Sequence, residues 1–284
     1  MGAAVKPALV TWDDGEAACL MGIVNLTPDS FSDGGELGNW DQVLARADQH
    51  LAHGAQWLDL GAESTRPGAA PVSEDEELSR LLPVLQGLRQ HRPQARLSVD
   101  TRHGRVAMAA LAAGAHLIND VGGGRDPGLL EAVAAADAGL ILMHMQGEPG
   151  SMQVAPTYRD VVAEVEGFLA AQLSFATAAG VRREAILLDP GIGFGKTPEH
   201  NLALLRALPR LRQSLGRPLV LAVSRKSLFP ALLGPGLSMA ERDAASHMVH
   251  ALLAAQVAVI RAHDCRGASH ALTLARALSC GVMP

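Results

Sequence analysis

Eight short apolar runs along this chain each stop at or beside a polar residue. The run from Met21 reaches Asn25, and the run from Gln56 reaches Glu63. Arg96 to Val99 leads to Asp100, and His116 to Ile118 leads to Asn119. Gly139 to Met143 stops at His144, and Ala185 to Leu188 stops at Asp189. Pro218 to Val223 meets Ser224, Arg225 and Lys226. Val257 to Ile260 meets Arg261, with His263 two residues on. Helix-like stretches separate the runs. Buried parallel strands read as continuous apolar runs and alternate with crossover helices. Eight strand–helix units predict an α/β fold, a (β/α)8 TIM barrel, whose functional residues sit at the C-terminal ends of the strands. The polar stops therefore name a candidate ring at the barrel mouth.

The chain has 284 residues, close to the ~250 typical of one such barrel. No Pro/Gly/Ser-rich linker or charge block divides it. Residues 1–16 read as an N-terminal extension, a candidate for disorder, and residues 17–284 as the barrel. A formal net charge of −5 argues against nucleic acid as the main ligand. Cys19, Cys265 and Cys280 lack metal-ligand spacing and read as buried, small apolar residues in a reducing compartment. No run is judged apolar enough over about 18 residues to cross a membrane. Trp12, Asp13, Asp14 and Glu16 stand where a signal peptide needs basic and apolar residues. The expectation is a cytoplasmic protein with no membrane partner.

Caps punctuate the helices. Ser73 precedes Glu74, Asp75 and Glu76, acids that favour a helix N-terminus. Asp126-Pro127 and Thr197-Pro198 each read as an N-cap followed by proline at the first helical position. The longest helix candidate spans Tyr158 to Ala179. Two loops rich in Gly, Pro, Ser and Thr, Leu26 to Gly35 and Ser64 to Ala69, follow early strands and are candidate lids.

Asp100, Asn119 and Asp189 close three strands. Together they offer acceptors and one amide, which suits the edge of a flat heterocycle such as a guanine or pterin. Helix capping is the competing role for each one alone. Lys226, Arg261 and His263 close the last two strands, where barrels often bind phosphate; ion pairing with Asp264 or Glu241 is the alternative. Asn25, with Thr27 nearby, offers a hard oxygen for a Mg2+ that keeps most of its waters and a phosphate. Pro190 to Thr197 fails the P-loop pattern, because Pro190 stands at its first glycine. Its glycines are expected to let backbone pack against a flat ligand beside Asp189. Met143 and Met145 are either padding for that ligand or packing residues. His103, His116, His200, His247 and His250 read as surface or satisfied core.

These residues resemble the dihydropteroate synthase family from about Leu20 to Ala277. The resemblance rests on Met21 to Gly35, Gly61 to Gly68, Ser98 to Thr101, Ile118 to Asp120, Leu142 to Gly147, Leu188 to Lys196, Ser224 to Lys226 and Arg261 to Asp264. It implies a transferase of folate biosynthesis. Such an enzyme joins 6-hydroxymethyl-7,8-dihydropterin pyrophosphate to p-aminobenzoate, with Mg2+, and is a target of sulfonamides. It implies that Asp100, Asn119, Asp189 and Lys226 hold the pterin. Asn25, Arg261 and His263 would bind pyrophosphate, with Mg2+ near Asn25. Thr65, Pro67, Phe31, Phe194 and Ser224 would form the p-aminobenzoate pocket. Phe31, Asp33 and Arg66 would close over the site, and Lys226, Asp100, Asp189, Asp33 and Arg66 would carry the chemistry. A homodimer is implied too.

The chain departs from the family pattern in places. Glu241 to His247 replaces a segment richer in glycine and small residues, and Asp243 and His247 are unexpected there. That helix often contributes to the family's dimer. Ala262 and the glycine run Gly122 to Gly124 are further departures. Two rivals stand beside the resemblance. A pterin-binding methyltransferase barrel would have little use for Thr65, Arg66, Pro67, Lys226 or the Arg261/His263 pair. A non-catalytic pterin-binding homologue would have no need to keep Asn25, Lys226 and Arg261 together.

Overall fold

The structure, a computed structural model, describes residues 10–12, 17–26, 40–64 and 71–280. The strands are β1 (Cys19–Asn25), β2 (Trp57–Gly61), β3 (Arg96–Asp100), β4 (Leu117–Asp120), β5 (Gly139–Met143), β6 (Ile186–Asp189), β7 (Val220–Leu221) and β8 (Val259–Ala262). The helices are α1 (Trp40–Ala52), α2 (Glu74–His91), α3 (Gly104–Ala112), α4 (Pro127–Ala136), α5 (Val161–Ala178), α6 (Pro198–Leu215), α7 (Leu228–Leu233), α8 (Met239–Leu253) and α9 (Cys265–Cys280). All strand pairs are parallel, in the order β6-β5-β4-β3-β2-β1-β8-β7. A single parallel bridge between Leu188 and Leu219 joins the two ends into a TIM barrel.

The seventh run is reduced to Val220–Leu221 as regular strand. The helix signals of the sequence hold. Ser73 accepts from the Glu76 N–H, Asp126 from Gly128, and Thr197 completes a capping box with His200. The long fifth helix starts at Val161, because Asp160 caps it by accepting from the Val162 and Ala163 N–H groups.

Two apolar layers stabilise this arrangement. Leucine, valine and alanine of the strands' outer faces pack against the helices. Inside the barrel, Met21, Trp57, Leu117, Ile141, Leu187, Val220 and Val259 fill the floor, joined from below by Val10. Trp12 stacks on Trp57 at 5.5 Å. Side chains alternate along a strand, so the next inward positions above this floor are Asp59, Ser98, Asn119 and Arg261. The polar site rests on a dry base.

Three sequence expectations need correction. By length and composition α5 is apolar enough to cross a membrane. In the fold one stripe of it, Val161, Val165, Leu169, Leu173 and Ala176, is buried against the barrel, while Phe175 on the same helix is exposed. Cys19 is half-buried, unlike the buried Cys265. His250 is not a satisfied core residue. Neither ring nitrogen has a hydrogen-bond partner, and burial pushes its pKa down to about 3, keeping it neutral.

Glu77 on α2 is fully buried, and neither carboxylate oxygen meets a partner at good geometry. Burial lifts its pKa from 4.5 to about 7, only partly offset by the Thr101 hydroxyl and the Arg102 charge. A carboxyl raised in the fold favours folding at low pH. Its cost appears as pH climbs from the unfolded value through 7. That cost approaches at most about 3 kcal/mol. Glu77→Gln is therefore expected to unfold at higher urea than the parent at pH 8, with the gain gone near pH 4.5. An equal difference at both pH values would show that burial does not raise the Glu77 pKa.

Candidate functional site at the barrel mouth

Asp100 and Asp189 are the last residues of β3 and β6, Asn25 is the last of β1, and Asn119 stands one residue before the end of β4. Asp100 lies level with Asn119 in the sheet register. Asn25 and Asp100 flank Gly61, and a Cβ there would lie within 4.0 Å of both their side-chain oxygens. The structure thus gathers these four sequence-chosen residues at one end of the barrel.

Arg261 on β8 reaches across the interior. Its Nε donates to Asp59 Oδ2 at 2.6 Å, and its Nη2 donates to Asp100 Oδ2 at 2.7 Å. Arg261 thus pairs with Asp59 and Asp100 rather than with Asp264 or Glu241. Asp59 sits in the middle of β2 with no exposure, below the strand ends at which the polar stops lie. It also accepts from Ser98 Oγ at 2.5 Å and from Asn119 Nδ2 at 3.2 Å. With that amide nitrogen turned inward, the Asn119 oxygen is left as an acceptor for another group. A signal did exist: a carboxylate inside the apolar run Trp57-Leu-Asp-Leu must be paired once buried.

Lys226 follows β7. Its ammonium stands over the Phe194 ring, 3.9 Å from the centroid. Burial pulls its pKa down to about 8, and the Asp189 charge opposes the shift. Burial lifts Asp189, while the Gly191 N–H donating to its Oδ1 at 2.7 Å favours the carboxylate. Burial also pushes Asp100 up, to about 7, against the pull of Arg261. Ser224 Oγ accepts from the His263 backbone N–H at 3.1 Å and lies 3.0 Å from His263 Nδ1. Its hydroxyl donates to that nitrogen if the ring proton is on Nε2. Ser224 therefore orients His263. Phe31, Asp33, Thr65, Arg66 and Pro67 lie outside the described residues, as does Thr27. Glu63, the stop of the second run, is taken up by Arg102 at 3.3 Å.

The glycine segment after β6 packs on protein. Gly191 has a φ of 68°, and a Cβ there would fall 1.8 Å from the His144 carbonyl oxygen. A Cβ on Gly195 would fall 2.5 Å from the Gln146 carbonyl oxygen. Lys196 does not serve a phosphate loop. Its buried amine donates to the carbonyl oxygens of Phe194 and His144 and pairs with His144 Nδ1 at 2.9 Å. Burial pulls Lys196 down to about 7 and His144 to about 3. Met143 and Met145 are buried with Val121, Met152 and Phe194 in a small apolar cluster.

Among the described residues, no group of three or more His, Cys, Asp and Glu has the arrangement of a metal cage. Asn25 remains as one hard oxygen. The buried Asp59, Asp100 and Asp189 are nominally matched by Arg261, Lys226 and Lys196.

A family profile described as "Pterin binding enzyme" matches residues 21–263. The dihydropteroate synthase of Neisseria meningitidis serogroup C is 44% identical over 262 residues, covering 91% of this chain and 92% of that protein. The Yersinia pestis dihydropteroate synthase, solved with a sulfonamide drug, superposes with a TM-score of 0.88 at 41% identity, covering 96% of this chain and 98% of the other. The Xanthomonas albilineans dihydropteroate synthase with 4-aminobenzoic acid gives a TM-score of 0.85 at 44% identity, covering 93% and 94%.

The Asp59 hub yields a direct test. Asp59→Asn leaves Arg261 with one carboxylate and points an amide at other donors, so a stability loss of about 3 kcal/mol is expected. The pterin affinity of the folded variant should fall at least about tenfold, as Asn119 and Arg261 lose their orientation. Ser98→Ala removes one hydrogen bond and should cost only about 1 kcal/mol. Urea unfolding and calorimetric pterin titration measure both. Equal, small effects in the two variants would remove Asp59 from its central place.

Proposed function

We infer that this chain, which belongs to the pterin-binding enzyme family, is a transferase of folate biosynthesis. It joins 6-hydroxymethyl-7,8-dihydropterin pyrophosphate to p-aminobenzoate, releasing pyrophosphate and forming 7,8-dihydropteroate. The observation that carries the site reading is the meeting of Asp100, Asn119 and Asp189 with Lys226 and Arg261 at the mouth of one barrel.

In this reading the pterin lies deepest. Asp189 and Asp100 accept N–H groups from its amino-pyrimidine edge, and the Asn119 oxygen accepts another. The Lys226 ammonium donates to a ring acceptor. Asn25, Arg261 and His263 face the pyrophosphate. Arg261 spends Nε and Nη2 on carboxylates, and its remaining Nη1 donors suit phosphate oxygens. The p-aminobenzoate ring packs against Phe194 and the Lys226 stem, with Ser224 nearby and Phe31, Thr65 and Pro67 completing its pocket. The Yersinia pestis relative was solved with a sulfonamide drug, which supports sulfonamide binding by this chain, and the p-aminobenzoate pocket is its proposed place.

The reaction breaks the methylene C–O bond, forms a C–N bond and releases a proton from the amine. Departure of pyrophosphate runs ahead of attack, because the dihydropterin ring delocalises the positive charge left on the methylene carbon. Asp100 and Asp189 stabilise that charge, while Arg261 and His263 stabilise the charge on the leaving group. The aryl amine then attacks, and closure of the loops bearing Asp33 and Arg66 keeps water from the cation. No protein nucleophile is used. A Mg2+ would fit here: Asn25 would hold it through one amide oxygen, and such an ion would supply positive charge against the pyrophosphate beside Arg261 and His263.

A homodimer is part of this proposal. Leu232 and Leu233 of α7, Met239, Met248 and Leu252 of α8, and Leu274 and Leu278 of α9 are exposed apolar residues on neighbouring helices. A second copy would cover them. The expected compartment is the cytoplasm.

Pyrophosphate release by the purified protein, measured with Mg2+ and the dihydropterin pyrophosphate, is the primary test. Release that also requires p-aminobenzoate, with dihydropteroate as product, is expected. Tight pterin binding without release would instead favour a methyltransferase or a non-catalytic binder. Lys226→Ala should lower turnover by at least about 100-fold with an unchanged melting curve. Near-normal activity in that variant would remove Lys226 from the mechanism.

A further inference from the structure

Lys226 follows a residue whose backbone is costly to hold. Arg225 has a φ of 60°, in the left-handed region that a side chain with a Cβ disfavours. Two α8 residues almost one turn apart hold it. Asp243 accepts from Arg225 Nε at 2.7 Å and from Nη2 at 2.8 Å, a bidentate fork. Ser246 Oγ accepts the Arg225 backbone N–H at 3.1 Å while donating to the Arg242 carbonyl at 2.6 Å. The ion pair is largely shielded, with the Asp243 side chain 16% exposed. It therefore keeps more of its strength than a surface pair.

The helix bearing Asp243 is itself anchored. His247 Nε2 lies 3.3 Å from Asp264 Oδ2. The His247 ring occupies the space beside Gly267, where a Cβ would stand 2.1 Å from it. Asp264 Oδ1 accepts the Arg266 N–H at 3.1 Å and so caps the start of α9. α8 is thus tied to the junction that follows His263. On its other side, the Lys226 stem runs past Gly193, where a Cβ would meet Cδ at 3.1 Å. Gly193 is pinned in turn, donating its N–H to Asn201 and accepting at its carbonyl from Gln153.

We propose that Asp243 is a positioning residue for the reaction: by locking Arg225 in its left-handed turn, it fixes where the Lys226 ammonium stands over Phe194. The inference rests on the role given to Lys226 above. A lysine has a flexible stem, so its amine is placed only if its backbone and the walls of its channel are fixed. Gly193 supplies one wall, and the Asp243–Arg225 fork supplies the backbone.

The test is a double-mutant cycle with two readouts. Asp243→Ala is expected to lower kcat about tenfold and to weaken calorimetric binding of the dihydropterin pyrophosphate several-fold, with a lower melting temperature but a protein still fully folded at the assay temperature. Asp243→Glu should restore most of both. Arg225→Ala should match Asp243→Ala, and the double variant should be no worse than either, since both act through one contact. The proposal is overturned if Asp243→Ala keeps parental kcat and affinity, or if the two single losses multiply in the double variant. Should the parent bind the pterin yet form no dihydropteroate, the functional reading falls. The calorimetric cycle then decides the positioning role by itself.

Discussion

One buried carboxylate organises the polar interior of this barrel. Asp59 meets donors from three other strands: Arg261 on β8, Asn119 on β4 and Ser98 on β3. Below it lies an apolar floor, so few competing dipoles weaken these contacts. A charge in that place is tolerated only when fully paired, and the pairing has consequences further up. Arg261, held by Nε, is aimed so that Nη2 reaches Asp100 at the mouth. Asn119, held by its nitrogen, keeps an oxygen for another group. The donor and acceptor pattern offered at the top is thus set one layer down.

The outer frame and the ends of the strands were legible because both follow from local rules. An apolar run that stops at a polar residue is a strand end in a barrel of this class, and Ser73, Asp126 and Thr197 announced their helices through short-range caps. Asp59 escaped because its role depends on partners up to 202 positions away. An inward-facing carboxylate amid leucines looks like an interruption until the barrel is closed around it. His250 escaped for the opposite reason. Nothing local says that a histidine on a helix will be buried without a hydrogen-bond partner. The loops carrying Asp33 and Arg66 lie outside the described residues, so their part in the site stays with the resemblance.

The glycine-rich segment after β6 shows how one composition serves two unrelated tasks. In a phosphate loop, glycines bring backbone N–H groups close to an anion. Here Gly191 and Gly195 bring backbone against the carbonyl oxygens of His144 and Gln146. The lysine that completes the apparent motif turns inward to the Phe194 and His144 carbonyls. Its amine ties the ends of β5 and β6 together. Asp189 benefits twice, since Gly191 donates to its side chain and the His144 N–H donates to its carbonyl. These close approaches are between two loops of the protein itself.

α8 bears residues on two faces with different demands. Asp243, Ser246 and His247 face the loops that follow β7 and β8, whereas Met239, Met248 and Leu252 face outward. Inward contacts of this kind are sensitive to small shifts, because a bidentate fork loses strength steeply with misalignment. The outward face gains by being covered, through burial of apolar surface. A second copy packed on Met248 and Leu252 would therefore restrict the same helix that holds Arg225. Association need not contribute any residue to the mouth in order to affect it. It would act by narrowing the motions of α8, and its effect would rise with protein concentration, as binding to the folded state requires. The polar contacts toward the mouth and the apolar face at the surface are in this way two loads on one helix.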